Sequence, residues 1–102
     1  MNNEIKLFLD NLKKAIQDND IAEFSKFIYY PCRWNSSQKK GSIRNNSQFI
    51  KNVNKILTLK IKELILKTTI DDLFVNCQGF MIGNGEIWFN PRKGIITFND
   101  SK

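Results

Sequence analysis

The chain has 102 residues, 41% hydrophobic and 25% charged, with eight Phe and two Trp. That is the composition of a folded domain with one modest core, not of a disordered tail. A net charge of +6 would suit an anionic partner, but Ile, Asn and Lys make up 40 of the residues, a bias that AT-rich coding sequence imposes regardless of function. There is no His, which removes the usual general base, the commonest metal ligand and every Ser-His or Cys-His nucleophilic pair.

Ile5, Phe8, Leu9, Leu12, Ala15 and Ile16 fall at helical spacing, with Asn3 as a cap and Glu4 in the first turn, and predict an amphipathic helix over about residues 4 to 18. Asp20 with Glu23 three residues later reads as a capping box opening a second helix, carried by Phe24, Phe27 and Ile28 and ended by Pro31. A strand from Cys32 to Asn35, a polar turn from Ser36 to Lys40 and a strand around Ser42 to Arg44 predict a hairpin. Asn46 or Ser47 then caps a third helix bearing Phe49, Ile50, Val53, Ile56 and Leu57.

Residues 59 to 67 fit either a strand or a helix, and the helix formers Lys62, Glu63 and Leu64 favour a short helix. From Asp72 onward the pattern is strands: Leu73 to Cys77, Phe80 to Phe89 and Ile95 to Asn99. Gly83-Asn84-Gly85 is either an Asn-Gly hairpin turn or a bulge bending one long strand, and the bend is favoured. Helices first and an antiparallel sheet after them is the order of an α+β domain.

Cys32 and Cys77 form no CxxC pair and, without His, no ordinary zinc site; both are expected as buried free thiols. No apolar run approaches the ~20 residues of a membrane span. Met1-Asn2-Asn3-Glu4 lacks the basic segment and apolar stretch of a signal peptide. With Met1 as the native start the expected location is cytoplasmic; as the remainder of an exported precursor it is periplasmic.

The run Asp72-Leu73-Phe74-Val75-Asn76, Gly79, Met81-Ile82-Gly83-Asn84-Gly85-Glu86-Ile87-Trp88-Phe89 and Ile95 to Asn99 resembles the C-terminal sheet of bacterial domains of the nuclear transport factor 2-like superfamily. Two helices upstream, Tyr30-Pro31 leading into a first strand, and Ser47 with Phe49 opening the next helix agree, so the resemblance covers about residues 4 to 99. It implies a cystatin-like α+β cone, a single domain in which a curved antiparallel sheet wraps the N-terminal helices. The superfamily includes isomerases, dehydratases, dimeric binding proteins and accessory domains, some linked to cell-wall enzymes, so the fold does not choose among them.

Alternation from Glu86 to Phe89 puts Glu86 and Trp88 on one strand face, and Tyr29, Tyr30 and Trp34 cluster where helix gives way to strand. Tyr30, Trp34, Glu86 and Trp88 are therefore the candidate ligand-binding residues at the cone mouth. Tyr30 with Asp72 is the pair the superfamily's isomerases suggest, because Tyr and Asp chemistry survives the absence of His, although the family's catalytic positions do not map onto this chain residue by residue. Gly83-x-Gly85 lacks the third glycine and following helix of a dinucleotide fingerprint. Lys51, Lys55, Lys60, Lys62 and Lys67, with Arg92 and Lys93, lack the interleaved aromatics of a base-stacking platform, and a solvated face is favoured over nucleic-acid binding.

The expectation is a non-enzymatic binding or scaffold domain for a small ligand or a protein partner, dimerising through the outer face of its sheet, with no catalytic residue, cofactor or metal assigned. The alternatives are an accessory domain of cell-wall, transpeptidase-type proteins without activity of its own, and a small isomerase-like enzyme using Tyr/Asp proton transfer. The partners expected are accordingly a second copy, a small apolar ligand, or a protein or envelope component.

Overall fold

The computed structural model describes residues 2–36 and 40–100, the side chains of Asn2 and Asp100 aside. In chain order it contains α1 (Asn2–Gln17), α2 (Ile21–Ser25), β1 (Ile28–Ser36), β2 (Lys40–Ile43), α3 (Asn46–Lys51), α4 (Val53–Ile56), α5 (Leu59–Lys67), a 3-10 turn (Ile70–Asp72), β3 (Phe74–Asn76), β4 (Gly79–Ile82), β5 (Ile87–Asn90) and β6 (Gly94–Asp100). The α+β class is as expected. The strands form one six-stranded sheet in the order β2-β1-β6-β5-β4-β3.

That sheet is mixed, which corrects the expectation of an antiparallel one: β1 runs parallel to β6, with Arg33 opposite Thr97 and Trp34 opposite Phe98. Three helices separate β2 from β3, so the chain crosses the fold before building the second half of the sheet and returns beside β1.

Helix α1 buries Ile5, Phe8, Leu9, Leu12 and Ala15, the stripe its spacing predicts. The Asp20 carboxylate accepts from the Glu23 backbone N–H at 3.1 Å and caps α2. That helix stops at Ser25 and not at Pro31. Residues from Ile28 onward are drawn into the sheet, where the Ile95 N–H donates to the Phe27 carbonyl at 2.7 Å. Gly94 makes this approach possible: its φ is +123°, and a Cβ there would lie 2.6 Å from the Phe27 carbonyl oxygen.

The third predicted helix divides at Asn52 into α3 and α4, and its cap is Asn45, which accepts from the Gln48 N–H at 2.9 Å, instead of Asn46 or Ser47. Residues 59 to 67 are helical, capped by the Thr58 hydroxyl. The hairpin of β1 and β2 is present, although most of its expected turn falls on residues 37–39, outside the described residues.

Gly83-Asn84-Gly85 is a turn and not a bend within one strand. Ile82 pairs with Ile87 and Met81 with Trp88 across it, and Gly83 and Gly85 take φ of +71° and +103°. The tendency to bend appears instead in β6, where Trp88 pairs with Thr97 but Phe89 with Ile95, leaving Ile96 as the extra residue of a bulge.

The core lies between the helices and one sheet face. Phe8 stacks on Phe89 at 4.8 Å and meets Phe27 edge-on, while Phe80 stacks on Phe89 at 5.5 Å. A second series runs from Phe24 to Phe49 to Phe98. Seven of the eight Phe thus pack in or against the core, together with the fully buried Leu12, Ile61 and Ile65.

Candidate binding face

The other face of the sheet is open, and β5 shows how the two divide: Ile87 and Phe89 are fully buried, while Trp88 between them is only half-buried. Residues directly opposite in a ladder share a face, so the pairings of Trp88 trace its row. On one side lie Met81 and then Phe74; on the other lie Thr97, Arg33 and Ser42. The row is apolar across β3, β4 and β5 and polar across β6, β1 and β2. Phe74, the eighth Phe, is 53% exposed on the edge strand.

Two shallow concavities of about 540 Å³ each share Trp88 and Asn99. One is closed by Lys60, Met81, Asn84, Gly85 and Glu86. The other spreads over β1 and β6 between Pro31, Arg33, Asn35, Gln78, Ile96 and Thr97.

Local hydrogen bonds hold this surface in place. Asn35 Nδ2 donates to Asn99 Oδ1 at 2.8 Å, and Asn99 Nδ2 donates to the Gly85 carbonyl at 2.6 Å. The Asn99 backbone N–H donates to the Glu86 carbonyl at 2.8 Å, tying the β4–β5 turn to β6. The Glu86 carboxylate accepts from the Asn84 N–H and faces Lys60 Nζ at 3.7 Å, so its charge is opposed by the first turn of α5.

Of the four sequence-predicted residues, the structure brings Glu86 and Trp88 together and separates them from the other two. Tyr30 and Trp34 lie on the helix-facing side of β1, packed against the core. The Tyr30 hydroxyl donates to the Ser25 carbonyl at 3.1 Å, and burial pushes its pKa from 10.0 to about 12. Trp34 stands opposite Phe98, and its indole N–H is buried without a hydrogen-bond partner among the described residues.

The Tyr and Asp pair considered for proton transfer is engaged elsewhere. The exposed Asp72 carboxylate accepts from the Thr69 N–H and hydroxyl at 3.2 and 3.0 Å, closing a capping box around the 3-10 turn. Cys32 is buried, with its thiol pushed from 9.0 up to about 12 by desolvation, whereas Cys77 is exposed, contrary to expectation. Among the described residues no group of three or more His, Cys, Asp or Glu could hold a metal ion, and no helix is long and apolar enough to cross a membrane.

Of the basic residues singled out, Lys51, Lys55, Lys60 and Lys67 are exposed and Lys62 is half-exposed; Arg92 Nε faces Glu4 at 3.4 Å, and Lys93 sits over the Tyr29 ring.

Sequence reasoning missed Phe74, Met81, Asn35, Thr97 and Asn99 as members of this face. The signal was present in the turns. Closing one hairpin at 83–86 and another at 77–78 aligns Phe74, Met81 and Trp88 automatically, whereas reading 80–89 as one bent strand hides the alignment. Comparison of the chain with protein-family models, curated proteins and solved structures finds no match.

Proposed function

We propose that the chain is a non-enzymatic binding or scaffold domain of the nuclear transport factor 2-like type, working through the uncovered face of its sheet with Trp88 at the centre. A long N-terminal helix held against one face of a six-stranded sheet supports the cone reading. The observation that carries the binding assignment is the contrast between a packed inner face and the row Phe74, Met81 and Trp88 on the opposite face, where Phe74 is exposed and Met81 and Trp88 keep part of their surface accessible.

The absence of His and the local engagements of Tyr30 and Asp72 favour binding over proton transfer. A small ligand, a protein partner and a second copy of the chain are all occupants that an amphipathic sheet face accommodates.

Native mass spectrometry of gently purified, undialysed protein tests the proposal when wild type and Trp88→Ala are compared. The expected result is that a bound mass or second subunit carried by the wild type is lost from a variant that still melts cooperatively. Retention of the same species by Trp88→Ala would move the site elsewhere.

A further inference from the structure

We infer that the Trp88 row is a platform for a neutral, extended chain of β-linked hexopyranose units. The inference rests on the reading of this face as the binding surface and names the ligand class.

Phe74 and Trp88 stand two strands apart in one row, with Met81 between them, so their backbone positions are set apart by roughly twice the strand spacing, about 9.5 Å. In an extended β-linked hexopyranose chain alternate units repeat over a similar length, and each pyranose has an apolar face of axial C–H groups that lies flat on an aromatic ring. Trp88 supplies the larger ring and Phe74 the more exposed one.

A hexopyranose is apolar on its faces and ringed by hydroxyls, and it needs directional donors and acceptors beside the aromatic surface. Asn35, Asn99, Thr97 and Arg33 line the concavity with Trp88 on its β6 and β1 side, and Gln78 of the β3–β4 turn joins them. The two asparagines are already oriented by the hydrogen bonds from Asn35 to Asn99 and from Asn99 to Gly85. A wholly apolar ligand would desolvate these groups without replacing their bonds to water.

The residues around the β1 and β6 concavity include Arg33 but no carboxylate, and in its neighbour Lys60 faces Glu86. Neither the cationic track that a single-stranded nucleic acid follows nor an acidic surface for a polycation is present in these two concavities. The concavities meet at Trp88 and Asn99, so a ligand lying over the indole borders both.

The test titrates the full ¹⁵N-labelled chain with cellohexaose and with chitohexaose, using maltohexaose as the coiled α-linked control, and follows the backbone amides together with the two indole N–H signals. Saturable shifts are expected at Trp88, Thr97 and Asn99, with the Trp34 indole unmoved. Trp88→Ala should weaken binding roughly tenfold, equivalent to about 1.4 kcal/mol, with Trp88→Phe retaining most of it. Phe74→Ala should have a smaller effect.

No shift with either β-linked hexasaccharide, equal shifts with maltohexaose, or a response indifferent to Trp88→Ala would each overturn the inference. If sugars have no effect but the Trp88 signals shift with protein concentration, the face binds a second copy; the sugar assignment then fails while the binding role of the face stands. If sugars shift only inner-face residues, both readings fail.

Discussion

Phe89 and Trp88 are neighbours on one strand and meet opposite environments. Phe89 stacks on Phe8 and on Phe80 and has no exposed surface; Trp88 points to the opposite face of the sheet and lies at the junction of two shallow concavities. A single step along β5 separates a residue that holds the fold together from one the fold leaves available. The two faces also differ in kind. Inside, stacked rings and branched aliphatics pack together. Outside, a short apolar row gives way to amides, a hydroxyl and a guanidinium.

The largest effect belongs to the inner face. Phe89→Ala removes a fully buried ring stacked on Phe8 and Phe80 and should destabilise the protein by about 3–5 kcal/mol. For a domain of this size that lowers the melting temperature by at least about 12 °C in a thermal scan. A loss below about 1 kcal/mol would mean that the inner rings are not tightly packed.

The buried thiol gives the second test. Cys32 has its pKa raised from 9.0 to about 12, so between those values the folded state holds a proton that the unfolded state releases. Stability from this group is therefore complete below pH 9 and is lost as pH rises toward 12, by at most about 1.4 kcal/mol per pH unit. Cys32→Ala should remove that contribution to the alkaline slope of denaturant midpoints. In the native protein at pH 8 a thiol reagent should label Cys77 quickly and Cys32 only on unfolding. Rapid labelling of both would contradict the packing of the inner face.

A smaller effect is expected at Trp34, whose buried N–H lacks a partner among the described residues. Trp34→Phe removes that donor while keeping an aromatic ring, and should change stability by less than about 1 kcal/mol in either direction. A larger loss in a denaturant titration would show that the indole N–H is satisfied in solution.

Much of the inner face was legible in the sequence, because local periodicity reports burial when one element packs on one core. Ile5, Phe8, Leu9, Leu12 and Ala15 announce α1, and Asp20 and Glu23 announce the start of α2. What was not legible depends on partners distant in the chain. The end of α2 is decided by Ile95 reaching Phe27, and the parallel pairing of β1 with β6 by contacts across more than sixty residues. Trp34 and Trp88 look alike in sequence, yet one faces the helices and the other the open side, since facing is set by register and not by residue type. The open face became visible only when Gly83 and Gly85 closed a turn and aligned Phe74, Met81 and Trp88.

The central claim is that the open face serves binding and not stability, and the most direct measurement is the thermal unfolding of Trp88→Ala beside Phe89→Ala under identical conditions. The account predicts that Trp88→Ala costs about 1 kcal/mol or less, while its neighbour loses several times as much. Equal losses would make Trp88 a structural residue and leave the open face without its proposed role.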